Sequence, residues 1–346
     1  MKCQLSKTNT VGNRQSSFEL LRLLSMFFIV LYHFLLWFVE DHSSHICLKA
    51  LWLPLHIGVI CFVLISGYFR IKPTSRGFIK LISMVLIYSL PGMCFEIKNA
   101  EGWKEVVHSL MFVSQTNYWF VRTYIGLYLV SPLINTFLDH SSSKTRWYML
   151  VVTGIISVYL GNFSNYYLYS DGKNLVNFIF LYQLGQMISL YFDQLRKIKV
   201  WKLLIAYASL NIFLVCCYYY SYDTGFGVLL WRLSFPYCSP ILIINAILFF
   251  IIIGHFSFTS ILLNRFSIGA FSIYLIHGNH PLVTGIQRNM VSSVFSYSNN
   301  YFEFVAMLTI LALIVMLLCL LINWLLSPLW NLFSSFGNSI YKKLGF

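Results

Sequence analysis

The stretch SFELLRLLSMFFIVLYHF, residues 17–34, decides what kind of protein this is. It is apolar and long enough to enter a bilayer, yet it holds Glu19, Arg22 and His33. Ionisable groups inside a span are costly, and they tend to face a cavity or a partner. Glu19 and Arg22 stand three apart, a spacing that allows an ion pair on one helix face. His33 follows Arg22 by eleven residues. Eleven steps of 100° return to within about 20° of the starting direction and rise about 16 Å, so Arg22 and His33 share a face. The plainer alternative is that Glu19 and Arg22 snorkel to the headgroups while His33 hydrogen-bonds a neighbouring helix.

The whole chain has this character. Its 346 residues are 58% hydrophobic, 18% aromatic and 10% charged, against about 25% charged in soluble domains. The mean hydropathy is +0.71. These values exclude a soluble globular fold, disorder, collagen and coiled coil. Apolar stretches at about 18–39, 47–69, 77–95, 117–138, 147–163, 174–192, 201–221, 228–254, 266–287 and 302–326 predict a transmembrane helical bundle. The expectation is all-α, polytopic, with about ten spans in one domain over 1–346.

The formal charge is +13, from 24 Lys+Arg and 11 Asp+Glu. In a soluble chain that excess would point to nucleic acid; here its distribution reports topology. Arg14, Arg70, Lys72, Arg76, Lys80, Lys144, Arg146, Arg196, Lys197, Arg265, Lys342 and Lys343 fall on one side. Glu40, Asp41, Glu96, Glu105, Asp171, Asp223 and Glu303 collect on the other. The positive-inside rule then puts both termini in the cytoplasm, with 1–17 as a cytoplasmic tail and no cleavable signal peptide. In 327–346, Leu329, Trp330, Leu332, Phe333, Phe336 and Ile340 precede Lys342 and Lys343, the pattern of an interfacial C-terminal helix. The eight cysteines show no metal-ligand spacing and are read as core packing, so no metal is expected.

On these residues the chain resembles the membrane acyltransferase family 3, integral membrane proteins that O-acylate carbohydrates and other hydroxyl-bearing acceptors. The family's hallmark is an arginine and a histidine separated by ten intervening residues in the first helix, usually with an acid three before the arginine; Glu19, Arg22 and His33 match it. FVLISGYFRIK is similar to the family's Ser-Gly-Tyr segment through Ser66, Gly67 and Tyr68. NYWFVRTYIGLYLVSPLIN looks like its fourth-helix region, with Trp119, Phe120, Ser131 and Pro132. FSIYLIHG resembles its late Tyr-Leu-x-His pattern through Tyr274, Leu275 and His277. The first cytoplasmic loop departs from the family's paired arginines, with Arg70 and Arg76 wider apart and Lys72 between them. The resemblance implies the minimal form, without an appended hydrolase-like domain.

Acyl transfer from a thioester to an alcohol needs a base, a group to meet oxyanion charge, and a held donor. His33 suits the base, since an unperturbed imidazole titrates near working pH. Arg22, oriented by Glu19, suits the donor's phosphate or pantetheine end. Arg70, Lys72, Arg76 and Lys80 form a basic mouth able to dock acyl-CoA, although any inner loop is basic by the topology rule. Trp119, Arg122, Tyr274 and His277 are the candidates for holding the acceptor. His56 and the Gln183/Gln186 pair read equally well as satisfied interhelical hydrogen bonds.

The expected activity is acyl transfer, acetyl in the first instance, from cytoplasmic acyl-CoA to a surface polysaccharide or a lipid-linked glycan precursor at the cell membrane. No permanently bound cofactor and no nucleic-acid partner are expected. A small-molecule transporter and a lipid-linked glycan polymerase or flippase are the alternatives. The topology predicts that a single cysteine placed at Ser75 reacts with an impermeant maleimide only from the cytoplasm, and one at Ser43 only from outside. The reverse pattern would invert the chain in the membrane.

Overall fold

A computed structural model of the chain describes residues 15–42, 48–111, 113, 118–163, 171–221, 223–278 and 281–343. The N-terminal tail up to residue 14, the labelling position Ser43 and residues 344–346 lie outside them. The fold is all-helical. Its elements are α1 (Ser16–Asp41), α2 (Trp52–Leu55), α3 (Ile57–Phe69), α4 (Ser75–Lys98), α5 (Trp103–Leu110), α6 (Trp119–His140), α7 (Ser143–Phe163) and α8 (Leu175–Leu195). They continue with α9 (Val200–Ser221), α10 (Gly225–Ser234), α11 (Pro240–His255), α12 (Ile261–Ile268), α13 (Ala270–His277), α14 (Pro281–Tyr297) and α15 (Tyr301–Lys343).

Among the described residues, six helical stretches are long and apolar enough to cross a membrane: Ser16–Asp41, Leu48–Phe69, Ser75–Lys98, Leu175–Leu195, Val200–Ser221 and Tyr301–Ile340. Two of the ten expected spans are not single helices. The stretch expected at 228–254 breaks between α10 and α11, where Pro236 and Pro240 interrupt SFPYCSP and Ser239 caps the new helix by accepting from the Leu242 N–H. The one expected at 266–287 is three pieces, α12, α13 and α14, punctuated at Gly269 and before Pro281. The segment from 327 onward is no separate helix. It continues α15 past Pro328 to Lys343, and its buried Trp330 ring lies 4.8 Å from Lys80 Nζ of α4. At 43 residues α15 is about 65 Å long, twice the thickness of a bilayer core.

The core is built around α1, whose Phe18, Leu21, Val30 and Phe34 are fully buried. It packs against α3, α11, α12, α13, α14 and α15. Large apolar side chains elsewhere point outward, among them Leu133, Ile155, Ile212, Phe213, Leu317 and Leu318. That surface requires an apolar solvent.

The three pieces α12–α14 run alongside α1 in the same direction and in nearly constant register. Ser16 Oγ donates to Asn264 Oδ1 at 2.9 Å, His33 meets His277 at 3.0 Å, and Arg288 donates to Glu40 at 2.7 Å. The sequence separations of these three pairs are 248, 244 and 248. Arg288 also pairs with Asp41. The polar rungs at both ends therefore fix which residue of α13 faces His33.

Glycine carries one crossing. α3 and α8 touch backbone to backbone at Gly67 and Gly185: a Cβ on Gly67 would lie 2.2 Å from the Tyr182 carbonyl oxygen, and one on Gly185 would lie 2.4 Å from that of Leu64. Small residues allow this approach in membrane helices. This gives Gly67, in the Ser-Gly-Tyr segment, a packing role. Gly67→Ala is expected to destabilise the protein by about 1–3 kcal/mol or more, read as a lower thermal midpoint in detergent. Gly102→Ala, where a Cβ meets nothing within 4 Å, should leave the midpoint unchanged.

Candidate active site

His33 projects from α1 toward the C-terminal end of α13, where fully buried His277 waits. His33 Nδ1 lies 3.0 Å from His277 Nε2, and His277 Nδ1 lies 2.7 Å from the Ile273 carbonyl oxygen one turn back. The carbonyl can only accept, so His277 Nδ1 carries a proton. In the neutral ring His277 Nε2 is then an acceptor, and His33 Nδ1 must donate to it. The remaining atom, His33 Nε2, is left with its lone pair. A chain of two hydrogen bonds thereby sets His33 in the tautomer that accepts a proton at Nε2. The Trp37 ring stacks on His33 at 5.7 Å and steadies it.

His33 borders a narrow cavity of about 20 Å³, room for a single water molecule. Ile29 and Tyr32 of α1, Leu55, His56 and Val59 of the α2–α3 region, Trp119 of α6, Tyr237 of the α10–α11 break and Tyr274 of α13 complete its walls. Any molecule larger than water exceeds this volume, so its entry requires the walls to part.

The structure brings four of the expected residues together here: His33, His277, Tyr274 and Trp119. Arg22 and Glu19 form their ion pair one turn inside the Ser16 end of α1, about 16 Å along the helix from His33, and do not line the cavity. The basic loop lies at that same end, because the Phe18 ring packs on Tyr68 at 4.6 Å and on Phe69 at 5.3 Å. Within the loop Arg70 donates to Asp139 at 2.6 Å, while Lys72 and Arg76 are exposed and Lys80 leans over Trp330. Arg122 is exposed and does not reach the cavity, although Trp119, one turn earlier on α6, does.

Gln183 and Gln186 are in packing networks: Thr153 Oγ1 donates to Gln183 Oε1 at 2.8 Å, and Gln186 Nε2 donates to Asn135 Oδ1 at 2.6 Å. The Asn135 network clamps the turn after α3, with Asn135 Nδ2 donating to the Ile71 carbonyl and the Ile71 N–H donating to the Tyr182 hydroxyl.

Three wall residues with polar side chains have no counterpart among the expected site residues: Tyr32, His56 and Tyr237. Of these only His56 gave a signal, a histidine inside the apolar run LPLHIGVICF. A short loop also closes over the Trp119–Tyr237 edge. Asp171 and Gly172 both have positive φ, the Asp171 carbonyl accepts from the Tyr237 N–H at 2.9 Å, and Lys173 Nζ stands 5.9 Å from the centre of the Trp119 ring. A Cβ on Gly172 would lie 2.6 Å from the Cys238 nitrogen, so the position accepts only glycine. Among the described residues, no three His, Cys, Asp or Glu side chains gather closely enough to hold a metal ion.

Residues 15–328 match the family model of the acyltransferase domain, and the chain belongs to the acyltransferase 3 family. No curated protein and no solved structure matches it. The protein is thus a membrane acyltransferase. The hydrogen-bond chain predicts that His33, selectively ¹⁵N-labelled, shows a protonated Nδ1 and a bare Nε2 by solid-state NMR. His277→Phe should abolish that preference, and an unchanged tautomer in the variant would detach His277 from it.

Proposed function

We propose that the protein transfers an acyl group, acetyl by preference, from cytoplasmic acyl-CoA to a hydroxyl of a surface polysaccharide or of a lipid-linked glycan precursor. The membership in an acyltransferase family supports the chemistry, and the family resemblance supports the choice of donor and acceptor. The observation that carries the reading is the bare Nε2 of His33, oriented by His277 beside the small cavity.

In this mechanism the acceptor hydroxyl donates to His33 Nε2. Its oxygen attacks the acyl carbon, the proton passes to His33, and the carbonyl oxygen becomes negative. Collapse breaks the carbon–sulfur bond, and the thiolate takes the proton back from His33, leaving an ester and free coenzyme A. His277 accepts from His33 Nδ1 throughout and spreads the charge of the imidazolium. Trp119 and Tyr274 give the acceptor an aromatic wall. The donor enters from the cytoplasm at the Arg22 end of α1. There Arg22, held by Glu19, and exposed Lys72, Arg76 and Lys80 meet its phosphates. Arg70 shapes this mouth through Asp139. Both termini are cytoplasmic on this reading, and the protein resides in the cell membrane as a multi-pass enzyme.

Reconstituted protein given radiolabelled acetyl-CoA and surface glycan is expected to form alkali-labile ester. His33→Ala and His33→Gln should each lower the rate by about 10²–10⁴-fold while accumulating normally; near-normal transfer by the glutamine variant would make His33 structural. Coenzyme A should raise the thermal midpoint of the wild type through binding linkage. The rise should be smaller in Arg22→Ala and at high salt. An equal rise in the variant would remove Arg22 from the donor site. Export of glycan without any ester would instead identify a transporter.

A further inference from the structure

We infer that His56 is a second catalytic group of this cavity, donating a hydrogen bond to the acyl carbonyl oxygen as that oxygen becomes negative. The inference rests on acyl transfer at His33. His56 sits where α2 gives way to α3 and is 5% exposed. Its Nδ1 is fully buried and has no hydrogen-bond partner among the described residues. A buried polar atom left unpaired is costly, and a catalytic role is one of the recognised reasons for keeping one.

The ring is also fixed. Tyr237 stacks on it at 4.3 Å, Phe235 packs at 4.1 Å, and the Tyr32 ring stands edge-on at 4.7 Å. With its faces covered by aromatic rings, the imidazole can make polar contact only through its edge, where its nitrogens lie. Held in this way it needs no reorganisation when charge develops, which is the condition for effective oxyanion stabilisation.

The remaining walls narrow the choice. Ile29, Leu55 and Val59 offer only carbon, His33 Nε2 is engaged by the attacking hydroxyl, and Tyr274 is hydrogen-bonded to the Phe120 backbone; Tyr32, Tyr237 and Trp119 also border the cavity, but among the wall residues described it is His56 that holds a buried polar atom without a partner. The acyl carbon must lie beside that hydroxyl oxygen, within the space His33 and His56 both border. As the hydroxyl oxygen bonds to carbon, the electron pair of the carbon–oxygen double bond moves onto the carbonyl oxygen, which the His56 N–H meets. When the carbon–sulfur bond breaks the double bond reforms and the His56 proton stays in place. His56 therefore undergoes no net proton change.

The full-length protein in lipid nanodiscs tests this. His56→Phe is expected to lower kcat about 10²–10³-fold with little change in KM for acetyl-CoA or for the glycan. His56→Gln, which keeps an N–H donor, should recover much of the loss. A His56→Phe variant whose kcat is unchanged, or whose defect is confined to the KM of the glycan, overturns the assignment.

The infrared band of acetyl-CoA labelled with ¹³C at the carbonyl gives a second readout, independent of whether His56→Phe folds. Bound to His33→Gln, which cannot turn over, the carbonyl should absorb at lower frequency than in solution. The shift should vanish in the double variant with His56→Phe. A carbonyl frequency equal to that in solution in His33→Gln overturns the proposal without reference to any His56 variant. Failure of the wild type to transfer acetyl from acetyl-CoA overturns this inference together with the proposed function. Wild-type transfer with a fully active His56→Phe overturns the inference alone.

Discussion

The contact between His33 and His277 is the constraint on which the site depends. A histidine on one membrane helix can turn either nitrogen to a neighbour, and each choice leaves a different atom for chemistry. The Ile273 carbonyl removes that freedom from His277, and His277 in turn removes it from His33. Because a backbone carbonyl begins the chain, the tautomer of His33 is written into the geometry of α13, and no carboxylate is needed to fix it.

That geometry is dictated by how α12, α13 and α14 lie along α1. A single straight helix drifts in angle against its neighbour, so a long run of matched polar contacts between two parallel helices is hard to keep. Breaking one partner into pieces resets its phase at each break. Ser16 with Asn264, His33 with His277 and Glu40 with Arg288 can then all meet, over about 36 Å of helix. The breaks at Gly269 and before Pro281 thus serve the alignment of the two imidazoles. The break at SFPYCSP serves the opposite wall by placing Phe235 and Tyr237 on His56.

Much of this was legible in the amino-acid order. The first span is a long apolar run with its ionisable residues on one face, and it appears as Ser16–Asp41. Ser75–Lys98 and Leu175–Leu195 likewise follow their hydropathy. The broken spans were not legible, because proline and glycine inside an apolar run fit both a kinked helix and two helices, and packing decides between them. Within the site, His277, Tyr274 and Trp119 were marked by the family resemblance, while Tyr32 and Tyr237 were anonymous aromatics among 23 tyrosines. His56 was visible as an oddity, but its place opposite His33 depends on how α3 is rotated against α1, a property of the tertiary structure. Arg122, three residues after Trp119 on α6, is exposed and is not part of the cavity wall.

The glycine crossing of α3 and α8 has a mechanical consequence. Where two backbones touch, with Gly67 and Gly185 at the contact, the helices have no side chains between them to slide over or to rearrange. They form a fulcrum. A rearrangement that widens the cavity beside His33 therefore costs least where it leaves α3 and α8 joined. Phe235 and Tyr237 pack on His56 from the short non-helical segment between α10 and α11, outside that glycine-joined pair.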